Sequence, residues 1–555
     1  MGKIYGGHLV ARYLKQVEGV DTVFGLSGGH IDRIFDGFYE YGVRLIDVRH
    51  EQAAVMMAHA WSIFKNEPGV CIVTAGPGFT NSLTGLVNAA MENAPVVMLS
   101  GMSPLRDQQK GALQDMSQAD MVKSIVKWHG ICHDTRRIPE YISKAFRTAV
   151  SGRPGPVFLE LPPDILNVQV DDADITCPQK ACRSYKSVAD PESIKEAADL
   201  INSASKPLLV GGSGVAFSNC DKELREFIDK TGIPFVLMNN GRGTLPDEHP
   251  LSLWDGGQMA LLSATPMADL VIVLGIRFNW LMFFGQGFPG AKVVRVDVDA
   301  TELDRNRCCD VGLSGDIALT LRELNKLVKK KDHSAWMKAL RDGYLPLAAG
   351  EIEQRGKASS PIHPVRLMEQ VRVAAQDSPI YIIDGGDASY FGLVGLKAKE
   401  KAGIIGGAAG LFGCLGTGIP MGIGAKVARP DKMVVVISGD GSFGFNAMEF
   451  DTAVRHNIPF VCVIVNDQAW GMIKHGQEIN YGARRLVGSE LGVVHYEKVV
   501  EALGGHGEFV EKDDQIIPAL KRALASGVPA CVNVLTDPTV TSPGTLLLVD
   551  GLKME

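Results

Sequence analysis

Two aspartates, each placed just beyond a run of apolar residues, are the side chains of this sequence best arranged for chemistry. Gly439-Asp440-Gly441-Ser442 follows the apolar run 433–438, and Asn466-Asp467 follows the run 460–465. Residues 446–456 between them read as one short helix, so the whole reads as a strand–helix–strand unit. Neighbouring parallel strands end on the same edge of their sheet, where open α/β folds bind ligands. Asp440 and Asp467 are therefore expected to share one ion. Oxygen ligands with no Cys or His at either junction favour Mg²⁺ or Ca²⁺ over zinc. Mg²⁺ held by one or two carboxylates completes its shell with water and phosphate oxygens, so the pair predicts a bound diphosphate. The glycines allow close backbone approach to it, and the following helix start favours its charge.

This arrangement resembles the diphosphate-binding signature of thiamine diphosphate enzymes, in which GDG is followed by a helix, a strand and an Asn-rich end. Most members carry Asn where this chain has Asp467; the aspartate adds a negative charge and still offers an oxygen. The resemblance implies thiamine diphosphate and Mg²⁺ as cofactors. It makes Asp440, Asp467 and the backbone carbonyl of Ala469 the metal ligands. Gly386, Asp387, Gly413, Leu415, Asp440, Gly441, Ser442, Asp467, Ala469, Trp470, Gly471 and Met472 become the cofactor-binding residues, with Leu415 as the apolar support beneath the bent cofactor.

Arg49-His50-Glu51 ends an expected strand at 44–47 and opens an expected helix at 52–64. Alone, Glu51 is an ordinary first-turn acid favoured by the helix dipole. The resemblance makes it catalytic and cofactor-binding, the carboxyl that meets the aminopyrimidine ring. The segments 24–32, 74–81, 113–114 and 449–452 look like benzaldehyde lyase. Segments 149–155 and 277–282 look more like oxalyl-CoA decarboxylase and 2-hydroxyacyl-CoA lyase. His30 and Gln114 match the polar groups that benzaldehyde lyase offers for proton relay, where the oxalyl-CoA enzymes have an apolar residue and an acid. A further histidine of benzaldehyde lyase corresponds to about Ala409 here. For a CoA thioester, the tail 549–555 offers one lysine, and the expected loop 387–390 has no basic residue.

These residues need parallel sheets to carry them. In 555 residues, short apolar runs alternate with longer amphipathic stretches in three segments, which predicts three open parallel-sheet α/β domains. They are a pyrimidine-binding domain at 1–176, a central Rossmann-like domain at 192–345 and a diphosphate-binding domain at 362–540, followed by a tail at 541–555. Polar stretches near 177–191 and 353–364 separate them. In the central segment Arg277, Asp297 and Asp316 are expected at strand ends, where relatives bind ADP, FAD or nothing.

A net charge of −7 gives no reason to expect a nucleic-acid partner. No apolar run has membrane-spanning length, and the N-terminus lacks a signal-peptide pattern and is read as passing directly into an amphipathic helix. Ten scattered cysteines without a CxxC pair fit a reducing cytoplasm. The expected activity is a carbon–carbon lyase or carboligase acting on 2-hydroxy ketones and aldehydes. Its alternatives are a 2-hydroxyacyl-CoA lyase or oxalyl-CoA decarboxylase type, an acetolactate synthase type, and a catalytically silent cofactor-binding relative. The resemblance also implies a homodimer or homotetramer with active sites between subunits.

Overall fold

Parallel strands of four to six residues with almost wholly buried side chains dominate the computed structural model, which describes residues 2–175, 178, 185–254, 257–375, 378–406 and 410–552. Val- and Ile-rich runs without alternation form such strands because helices cover both faces of the sheet. A short antiparallel pair joins β1 (Lys3–Tyr5) to β8 (Gln169–Asp171). Residues 3–5 thus form a strand before the first helix, Gly6–Gln16.

The first large sheet contains β2 (Thr22–Gly25), β3 (Arg44–Asp47), β4 (Gly69–Val73), β5 (Val96–Gly101), β6 (His129–Ile131) and β7 (Val157–Leu161), in the order β3-β2-β4-β5-β7-β6. The central sheet contains β9 (Pro207–Gly211), β10 (Phe235–Leu237), β11 (Leu270–Leu274), β12 (Lys292–Asp297) and β13 (Val311–Ser314), ordered β10-β9-β11-β12-β13. The third contains β14 (Ile380–Asp384), β15 (Ile404–Gly406), β16 (Val434–Gly439), β17 (Val461–Asn466), β18 (His506–Val510) and β19 (Ala530–Leu535), ordered β15-β14-β16-β17-β19-β18. All pairs within these three sheets are parallel. Three α/β domains are therefore present. The first and third sheets follow the same winding, strand for strand.

Those two sheets share a core. The helices Glu51–Lys65 and Gly418–Ala428 are apolar nearly all round and pack on each other, joining Met56, Met57 and Ala60 to Ile419, Met421 and Ile423 in one buried cluster. A helix buried on all sides carries no polar stripe.

Two expectations need correction here. The stretch 446–456 is not one helix: Asp440–Asn446 and Glu449–Arg455 are separate, broken at Ala447 and Met448. The first begins inside the glycine-rich motif itself. Residues 387–390 form the first turn of the helix Asp387–Gly395, since a buried acid at its start and Ala, Ser and Tyr after it continue the helical backbone. A single helix, Ser334–Gly356, runs across residue 345. Ala409, Lys553 and most of 177–184 lie outside the described residues. Among the described residues no helix is long and apolar enough to cross a membrane.

Candidate functional site

Strands β16 and β17 are in register with Gly439 opposite Val465, which sets Asp440 level with Asn466 and Asp467 one residue beyond. Both aspartates emerge on the carboxyl edge of the sheet, as expected. Asp440 is buried, and its Oδ2 has no partner among the described residues. Both carboxyls are held well above the usual range, by burial first; the Asp467 charge adds to the shift of Asp440, and the Asp387 charge to that of Asp467. A buried acid with an orphaned oxygen beside a half-buried second acid would suit a cation between them. The donor set is all oxygen, which suits Mg²⁺.

A cavity of about 220 Å³ opens beside them. Its lining includes every residue of the third segment expected to bind the cofactor: Gly386, Asp387, Gly413, Leu415, Asp440, Gly441, Ser442, Asp467, Ala469, Trp470, Gly471 and Met472. A Cβ added at Gly471 would come within 2.1 Å of Asp467 Oδ2, so only glycine leaves room for the carboxylate there. The residues present fit a diphosphate with its metal. Asp384, at the end of β14, accepts from the Gly418 N–H at 2.8 Å and anchors the helix that follows Leu415; burial pushes its carboxyl up to about 6.

Asp387 lines this cavity, but its oxygens are taken. Oδ2 meets His475 Nδ1 at 2.9 Å, and Oδ1 accepts from the hydroxyls of Ser542 and Thr545. His475 Nε2 meets the Pro538 carbonyl at 3.1 Å. Burial works against a charge on His475, yet the Asp387 carboxylate and that carbonyl outweigh it and hold its pKa above the usual value. Asp387 thus shapes the cavity wall and is itself held by the segment that starts the helix Pro543–Leu552. Sequence reasoning missed His475. The signal was its place four residues after Gly471 on one helix, which stacks it over the cavity wall.

The first sheet builds a different site. Glu51 opens the helix Glu51–Lys65 after β3 and is 6% exposed. Its Oε2 accepts from Asn81 Nδ2 at 3.0 Å, and a Cβ on Gly78 would touch its Oε1 at 3.4 Å. The neighbouring backbone is clamped across the domains: Glu449 accepts from the N–H groups of Arg49 and His50, each at 3.0 Å. Burial pushes the Glu449 carboxyl up to about 7 despite those donors and Thr452. His30 and Gln114 line one cavity together with Gly28, Gly29, Thr74 and Leu113. The His30 ring meets the backbone of Leu113, and burial, working against that bond, lowers its pKa, so the ring is neutral near pH 7. Gln114 Oε1 and Thr74 Oγ1 are buried without partners among the described residues. This cavity and the diphosphate cavity have no lining residue in common, and Glu51 borders neither.

A third cavity, of about 390 Å³, lies at the carboxyl edge of the central sheet. It brings together Arg277, Asp297 and Asp316, the three residues expected at strand ends. Each has a structural engagement. Arg277 donates to the Met91 carbonyl, Asp297 accepts from the Asp299 N–H, and Asp316 caps the helix Ile317–Leu327.

Three family models match the chain: "Thiamine pyrophosphate enzyme, N-terminal TPP binding domain" over residues 4–121, the central domain over 194–324, and the C-terminal TPP binding domain over 384–534. The chain is 34% identical to an acetolactate synthase large subunit of Mycobacterium tuberculosis over 544 residues, 97% of each. It is 31% identical to a 2-hydroxyacyl-CoA lyase of Arabidopsis thaliana, over 96% of each. It is 30% identical to an oxalyl-CoA decarboxylase of Escherichia coli, over 96% of this chain and 95% of that one.

Proposed function

We propose, from the premise that this chain belongs to the thiamine pyrophosphate enzyme family, that it cleaves and forms the carbon–carbon bond of 2-hydroxy ketones. The observation that carries this reading is the pairing of His30 and Gln114 in one cavity. The Gln114 amide would bond a substrate hydroxyl there. A neutral imidazole opposite it can take up and return the same proton, as the interconversion of a 2-hydroxy ketone and an aldehyde requires.

The bound cofactor supplies the electron sink for the bond that breaks. In this reading the chain's own side chains hold and supply it. Asp440, Asp467 and the Ala469 carbonyl would hold Mg²⁺ against the diphosphate. Leu415 would support the cofactor's bend. Glu51, kept in place by Asn81, would exchange a proton with the aminopyrimidine ring. The separation of the two cavities within one chain supports a dimer or tetramer, in which Glu51 of one subunit serves the diphosphate cavity of another. The functional units are taken as residues 1–176, 192–345 and 362–540, with a tail at 541–555. Free cysteines, six of the eight described being buried, support a cytoplasmic setting.

A second reading, a decarboxylating synthase acting on 2-oxo acids, draws support from the similarity to the mycobacterial acetolactate synthase. Product analysis with thiamine diphosphate, Mg²⁺ and a panel of acyloins, aldehydes, 2-oxo acids and CoA thioesters separates the two. Aldehyde release from acyloins supports the first; CO₂ release from 2-oxo acids with no acyloin cleavage overturns it. Light scattering of the loaded protein should give at least a dimer, and a monomer that turns over would remove the shared-site arrangement.

A further inference from the structure

One buried amide joins three strand ends of the first sheet. Gln118 begins the short helix Gln118–Val122 and is 1% exposed. Its Oε1 accepts from the Gly76 N–H at 2.9 Å. Its Nε2 donates to the Gly101 carbonyl at 2.9 Å and to Glu160 Oε1 at 3.0 Å. Gly76 follows β4, Gly101 ends β5 and Glu160 lies in β7. The amide cannot be turned over. A backbone N–H only donates and a backbone carbonyl only accepts, so the Gln118 oxygen must face Gly76 and its nitrogen Gly101.

Both backbone groups fixed in this way press on the polar residues of the cavity. Gly76 has φ +60°, and a Cβ there would come within 2.8 Å of Gln114 Cβ. A Cβ on Gly101 would come within 2.8 Å of His30 Cβ. Movement of either backbone segment therefore moves Gln114 or His30. Glu160 supports the amide from the far side. It is 1% exposed, its Oε1 accepts from Gln118, and its Oε2 has no partner among the described residues. Such a group costs free energy in a core. What it provides here is an acceptor for the amide's second proton.

We propose that Gln118, backed by Glu160, is a positioning residue that sets the spacing of His30 and Gln114 across the substrate cavity. The kinetic consequence rests on the reading of His30 and Gln114 given above; the geometric one stands without it. Gln118→Met keeps the volume and removes these hydrogen bonds together with a fourth, longer one from Nε2 to Ser100 Oγ at 3.4 Å. Gln118→Glu keeps the acceptor for Gly76, loses the donors, and serves if the Met variant does not fold.

Crystal structures of the cofactor-loaded variants should show the His30–Gln114 separation changed by about 0.5 Å or more, the tolerance of a preorganised site. Acyloin cleavage should fall about 10-fold to 100-fold, the cost of a small misplacement. Hydrogen–deuterium exchange at C2 of the bound cofactor should stay within about twofold of wild type, because it does not use His30. Added to His30→Ala, the substitution should cause little further loss, since residues acting through one another are non-additive. An unchanged separation, or a fully additive double variant, overturns the proposal. A shifted separation in a protein that cleaves no acyloin upholds the positioning and refutes the activity.

Discussion

The first and third sheets wind identically, yet they carry their functional groups in opposite ways. In the third, the two acids follow adjacent strands, β16 and β17, and the cavity beside them is lined by short stretches next to strand ends. In the first, β4 and β5 occupy the same places in the winding, but their ends carry no acid pair. Gly76 and Gly101 stand there instead, and the polar residues reach the cavity from separate loops at His30 and Gln114. One sheet presents a contiguous motif for a charged group that every member of the family must bind. In the proposed function the other uses its strand ends as a floor and leaves recognition to loops, which can vary without disturbing it.

That contrast can be broken from either side. The largest effect should come from Asp440→Ala. Calorimetric titration of thiamine diphosphate plus Mg²⁺ should show affinity lost by about 100-fold or more, beyond what losing an outer-shell partner costs. Unchanged affinity would remove Asp440 from the site. Glu51→Gln, on the first sheet, should leave cofactor affinity nearly intact while slowing C2 hydrogen–deuterium exchange by about 10²-fold or more, the scale of a lost acid–base group. If that exchange runs at the wild-type rate, Glu51 has no part in activation. His30→Ala should reduce acyloin cleavage about 10²-fold with C2 exchange preserved; full turnover would sink the relay.

A milder effect concerns the clamp between the sheets. The folded pKa of Glu449, about 7, lies above its unfolded value. Its contribution to stability is therefore complete below the unfolded value and is lost as pH rises through 7. Urea unfolding at pH 5 and pH 8 should show wild type losing up to about 3 kcal/mol relative to Glu449→Gln. Parallel pH dependences in the two proteins would show that burial does not raise the Glu449 carboxyl. The smallest change should be Asp467→Asn. It keeps an oxygen ligand and removes one negative charge, so cofactor affinity should hold or rise, and a large loss would show that the second charge is needed.

The third-sheet acids were legible because they lie within a residue or two of strand ends, and apolar runs mark strand ends well. Asp440 and Asp467 followed from that; the rest of the cavity lining, from Gly386 to Met472, followed from the resemblance to thiamine diphosphate enzymes. Alternation of strands and helices was enough for the three parallel sheets. The helix start at Asp440 was not legible, because Gly441 and Gly444 argue locally against a helix that tertiary packing imposes. Gln118 and Glu160 were out of reach for another reason. They are 42 residues apart and meet only once β7 lies beside β5. The partner of His475, 88 residues away at Asp387, was equally out of reach, although its place on the helix of Gly471 was a signal for the residue itself.

The acceptor shared by Ser542 and Thr545 also bears on how the protein comes into being. Asp387 receives those two donors from residues 155 and 158 positions later in the chain. During synthesis the strands, glycines and acids of the diphosphate cavity emerge first and can pair while that carboxylate still lacks both hydroxyls. Domains form in the order they leave the ribosome. The cavity wall that Asp387 forms therefore gains its last two hydrogen bonds only after the segment at 542–545 has been made and has docked.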